Sequence, residues 1–216
     1  MSETPYSFKK GDNMSAFLGP IHYWLYNKIK LQENFVQNIL EVSSEKNWYS
    51  GLEKEVEETY GKLDTRPLED IIDQSNIHGW LQGKIAQTES RLAFVVTNII
   101  RKNPDYILKL KEIAYSFGEA NGASENITAN DSYKFLNDNL IDGMPCDRVN
   151  EVIESDNNQV VWRQNTCVHL DYWKNVGGDV SVYYALRDEI IKGMLSKSNL
   201  EYITNKYGLN IIRRKC

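Results

Sequence analysis

Histidine and cysteine are scarce in this chain of 216 residues, with three of each, and only five prolines interrupt it. None of these residues falls into a recognised metal signature. The sequence holds no Cys-x-x-Cys, no His-Glu-x-x-His and no Glu-x-x-His, which removes the zinc-knuckle, zincin and di-iron-bundle patterns. No stretch approaches the roughly 18–20 apolar residues of a membrane span. The longest apolar pulse, from Leu92 to Ile100, is broken by Thr97 and Asn98. Positive charge is not in excess either. A formal charge of −5 argues against nucleic acid as a partner, because binding a phosphate backbone needs a basic surface. The short run Arg213-Arg214-Lys215 is too small to change that. Gly177-Gly178-Asp179 is not a phosphate-binding loop. The first 13 residues are polar and lack an apolar run of signal length, so the expectation is a cytosolic protein with free thiols, no membrane contact and no structural disulfide.

What the chain does have is an internal echo. Ile21-His22-x-Trp24-Leu25-x-x-Lys28-Ile29-x-x-x-Glu33 returns as Ile77-His78-x-Trp80-Leu81-x-x-Lys84-Ile85-x-x-x-Glu89. A weaker pair follows, Lys54-Glu55-Val56 with Tyr60-Gly61 against Lys111-Glu112-Ile113 with Phe117-Gly118. At 3.6 residues per turn, Ile21, Leu25, Ile29, Val36, Ile39 and Leu40 share one helical stripe. Ile77, Leu81, Ile85, Leu92, Val95, Val96 and Ile99 share another, and the repeated His and Glu lie at the stripe edges. A helix is expected from Ser15, with Pro20 in its first turn. Ser44 then caps a second helix running to Leu63. Pro67 opens a third, and Asn103-Pro104 a fourth that ends near Gly118. The expected body is a mainly α, internally duplicated pair of helical hairpins (15–62 and 67–119) forming a four-helix bundle after a leader of residues 1–14.

Residues 120–216 read as a small α+β segment packed on that bundle. A helix is expected from Asp131-Ser132 to Leu140, then turn chemistry at Asp142-Gly143-Met144-Pro145. A β-hairpin over 148–154 and 160–169 turns at Ser155-Asp156-Asn157-Asn158. Helices over 182–197 and 200–207 and a strand over 209–213 complete it.

Chemistry is expected where the polar residues of the repeat meet this segment. Histidine is the commonest metal ligand, with thiolates and carboxylates its natural companions. His22, His78 and His169 with Cys146 or Cys167 could therefore hold iron or zinc. If the repeated helices run parallel, His22 and His78 share one layer, and Glu33 and Glu89 share another about 16 Å along at 1.5 Å per residue; if they run antiparallel, His22 approaches Glu89 and His78 approaches Glu33, which suits two His–Glu sites. Glu33 or Glu89 would serve as ligand or general base. On a strand, Cys167 and His169 would share a face, which suggests a second reading, a cysteine hydrolase or transferase. Trp162, Arg163, Trp173, Tyr184 and Arg187 suit a pocket for a small molecule or cofactor. A third reading is non-catalytic, with packed histidines at helix starts. The tract Val161 to Cys167 is similar to a strand region of aminothiazoline carboxylate hydrolases, and no site residue is carried over from it. A small-molecule ligand is expected, and a homodimer is one possible assembly.

Overall fold

The structure, a computed structural model, describes residues 18–205 and 208–215. The leader and the expected helix start at Ser15 lie outside those residues. The chain is mostly helical and carries a small C-terminal antiparallel sheet of four strands. None of the described helices is long and apolar enough to cross a membrane.

Helix α1 spans Pro20–Glu45 and α4 spans Ile77–Lys102, so each copy of the repeat begins a long helix. Their stripes are buried as the periodicity requires, apart from Ile21, which is 50% exposed on the first turn. The two helices run side by side in the same direction. The His22 and His78 rings lie 5.7 Å apart, the Tyr26 and Trp80 rings 6.0 Å apart, and Glu33 meets Arg91 further along. The matched Lys and Trp positions make similar contacts. Lys28 Nζ sits 4.0 Å from the Trp24 ring centre and Lys84 Nζ 5.3 Å from that of Trp80.

Several boundaries differ from the sequence reading. Ser44 lies inside α1, because the apolar stripe carries the helix through to Glu45. Helix α2 is short, Leu52–Tyr60, and follows Gly51, whose φ of 85° ends the preceding turn. Pro67 opens only the single turn α3, Leu68–Ile71; Ile72 is extended, and Asn76 caps α4 by accepting a bond from the Gly79 N–H. Helix α5 runs Tyr106–Ala120 and α6 runs Ala129–Asn139, the latter capped by Thr128 rather than by Asp131.

Strands β1 (Asn150–Ser155) and β2 (Gln159–Gln164) form the expected hairpin. Helices α7 (Leu170–Asn175) and α8 (Val180–Met194) follow. Leu200–Thr204 is strand β3 and not a helix; its alternating burial at Leu200 and Tyr202 is a period of two, which β-branched and aromatic residues favour. Strand β4, Leu209–Arg214, lies between β2 and β3 in the order β1-β2-β4-β3. The inner face of the sheet buries Val160, Trp162, Tyr202 and Ile212. The Trp162 ring is flanked by Tyr133 of α6 and Tyr202 of β3.

Helices α5 and α8 cross at Gly118 and Gly193. A Cβ on Gly118 would overlap the Ile190 carbonyl oxygen, and one on Gly193 would overlap that of Tyr115. Backbone packs on backbone there, and this contact ties α8, with Tyr183, Tyr184 and Arg187, to the helical body.

Candidate functional site

A cluster of charged side chains, Glu89, His169, Asp142 and Arg187, forms where α4, the 141–147 turn, the start of α7 and α8 meet. His169 is the N-cap residue of α7 and is fully buried. Its Nδ1 is 3.1 Å from Glu89 Oε2 on α4, and Gln32 on α1 donates to the other Glu89 oxygen at 3.0 Å. Its Nε2 faces Asp142 Oδ1 at 3.9 Å, and among the described residues neither of those two atoms has a hydrogen-bond partner. Asp142 Oδ2 accepts from Arg187 at 2.8 Å and from the Asn150 amide at 2.9 Å. Arg187 also donates to the Ile141 carbonyl and the Tyr183 hydroxyl. Tyr183 lies beneath the imidazole, with ring centres 3.9 Å apart.

The charges in this cluster alternate: Glu89, His169, Asp142, Arg187. Burial opposes the charged form of His169, but Glu89 and Asp142 outweigh it and raise its pKa to about 9. Burial also opposes ionisation of Asp142, yet Arg187 and His169 hold its carboxyl below the usual range. The imidazole is therefore a fixed cation at neutral pH. Buried Tyr183 is held well above its ordinary value by desolvation and stays a phenol.

A cleft of about 270 Å³ opens beside this cluster and is lined by Gln82, Glu89, Asp147, Cys167, His169 and Tyr172, among others. Strand β2 stops at Gln164, so Cys167 and His169 do not share a strand face; the thiol is exposed and the imidazole buried. The Tyr184 hydroxyl donates to Cys167 Sγ at 3.1 Å and fixes the thiol at the cleft.

The other expected site residues are distributed elsewhere. His22 Nδ1 accepts from the Gly19 N–H at 3.0 Å, so the ring caps the start of α1 beside His78. Glu89, which His169 touches, lies 11 positions beyond His78 on α4, or about 16 Å at helical rise, so the three histidines do not converge on one point. Among the described residues no group of three or more His, Cys, Asp or Glu side chains is placed to hold a metal ion. Cys146 sits exposed on a single 3-10 turn, Pro145–Asp147. Glu33 is buried against Arg91 of α4, 2.9 Å away, and also accepts from Gln37. Trp162 is core, while Arg163 on the opposite face of β2 pairs with Glu151 at the surface. Trp173 is buried at the edge of the Tyr183 ring.

No protein-family model, curated protein or solved structure matches this chain.

Glu89, Cys167, His169, Tyr184 and Arg187 were thus legible as site candidates and lie in or beside one cluster. Tyr183 stood with Tyr184 and Arg187 in one aromatic stretch of the sequence, whereas Asp142 and Lys28 were not legible as site residues. Asp142 is masked by turn chemistry in Asp142-Gly143-Met144-Pro145. Lys28 carried a usable signal, since it is one of the repeated identities.

Proposed function

We propose that the protein is a thiol-dependent enzyme acting on a small molecule in the α4 cleft, with Cys167 as nucleophile and the Glu89–His169 pair as its fixed proton donor. The observation that supports this reading is that residues from separate stretches of chain, Glu89, Cys167 and His169, line one cleft. Its volume of about 270 Å³ suits a small ligand. Cys167 sulfur would bond to an electrophilic carbon, its own proton passing to solvent. The protonated His169 ring, oriented by Glu89, would give a proton to the departing group. Asp147 and Asp171 on the cleft wall favour a substrate that carries an amine or other hydrogen-bond donors. The same reading takes α1–α2 and α4–α5 as duplicated hairpins packed as a four-helix bundle. The parallel course of α1 and α4 and their matching Lys-over-Trp contacts support it.

The test is acylation by an activated ester, followed by mass spectrometry of the cysteine peptides. Cys167 is expected to acylate at least about tenfold faster than Cys146, with the advantage lost in Glu89→Gln and His169→Asn. Equal rates at the two exposed thiols would end the proposal. The rate is expected to survive a chelator. A chelator-sensitive rate would instead favour iron or zinc held at Cys167 and His169.

A further inference from the structure

On the far side of Asp142 lies a second cavity, also about 270 Å³, between α1, α6 and the 142–150 segment. Lys28 lines it with only 3% of its surface exposed. Its Nζ rests 4.0 Å from the centre of the Trp24 ring, which forms part of the same wall. Among the described residues none offers this ammonium a hydrogen bond or an ion pair. Its counterpart in the repeat behaves differently: Lys84 is less buried and donates to Gln87 at 3.1 Å. A buried cation that rests on an aromatic face but has no hydrogen-bond acceptor is costly, and proteins relieve that cost by shedding the proton or by binding a ligand.

We propose that Lys28 is a reactive amine that captures a small 2-oxo acid as an imine in this cavity. The neutral amine attacks the carbonyl carbon and a C–N bond forms. The carbonyl oxygen leaves as water, carrying both amine protons, and no oxidant or reductant is required. Tyr133 is one of the lining residues, and its phenol would pass a proton to that oxygen. Arg148 on the same wall, with Asn137, suits the carboxylate. Burial, reinforced by Arg187 against the opposing pull of Asp142 and Asp138, brings the Lys28 pKa down to about 8. At pH 7 roughly one chain in ten then carries the free amine, a few hundredfold (~200–300) more than at an ordinary lysine.

The experiment treats the full chain with pyruvate and cyanoborohydride near pH 7, which reduces any imine to a stable adduct, and maps the modified peptides. Lys28 is expected to label at least about tenfold faster than Lys84 or any exposed lysine, in line with its larger free-amine fraction. Arg148→Gln is expected to slow labelling by pyruvate and leave labelling by propionaldehyde unchanged. Labelling spread evenly over the lysines, or an unmodified Lys28, overturns the proposal. An Arg148→Gln variant that labels normally with both probes overturns the 2-oxo acid assignment.

Discussion

Glu89 Oε2 and His169 Nδ1 stand 3.1 Å apart although 80 positions separate them in the chain. Their contact makes the imidazole a buried cation, and folding therefore takes up a proton there that the unfolded chain releases near its ordinary value. Because the folded pKa is raised from 6.5 to about 9, the stabilisation is complete below pH 6.5 and is lost as pH rises through 9. It is on the order of 3 kcal/mol. Lys28 acts with the opposite sign, adding stability as pH rises from about 8 towards 10.5. The informative quantity is accordingly the difference between wild type and His169→Asn in urea unfolding. That gap is expected to narrow between pH 6.5 and 9.5, and a gap independent of pH would contradict a charged His169.

Glu33 and Arg91 are both buried, and Arg91 also donates to the Gly61 carbonyl. Glu33→Gln is expected to cost about 3 kcal/mol, because it strands a guanidinium out of water. Pairing it with Arg91→Met should recover most of that loss. Two additive losses in the double-mutant cycle would show that the pair is not coupled.

Gly118→Ala and Gly193→Ala should each cost about 2 kcal/mol or more, since the new methyl meets a backbone carbonyl that cannot turn aside. Gly83, in α4, where no atom of the described residues would lie within 4 Å of an added Cβ, is the matched control. Gly83→Ala should stabilise by up to about 1 kcal/mol through helix propensity alone. Thermal melts of the three variants decide the matter, and similar shifts at all three sites would refute the close crossing.

Asn76 and His22 hold the starts of α4 and α1 by accepting backbone bonds, from Gly79 and Gly19 respectively. Alanine at either position is expected to cost about 1 kcal/mol. For His22 the loss should be the same with and without added zinc. A larger loss in the presence of zinc would reveal a ligand role that the cap does not require.

The periodic parts of this fold were legible because periodicity is a local signal. Two long stripes marked α1 and α4, and alternation around Ser155 to Asn158 marked the β1–β2 hairpin. Short elements were read less well. Residues 200–204 are too few to separate a helix from a strand by pattern, and the pairing of β3 with β4 decides the outcome. The same limit applies to Cys167 and His169, where the strand ends three residues before the cysteine. The two Glu residues at matched places in the sequence echo show a further limit. Glu33 and Glu89 are equivalent in sequence, but one meets Arg91 and the other His169, and only the tertiary neighbours distinguish them.

The crossing of α5 and α8 has a mechanical consequence. Side chains between two helices can change rotamer and absorb small displacements, but main-chain atoms in contact have no such slack. A shift of α8, whatever drives it, must be transmitted to α5 undiminished. Tyr183, Tyr184 and Arg187 ride on that helix, so occupancy of the cleft and strain in the helical body are geared together through two hydrogen atoms, the missing side chains of Gly118 and Gly193.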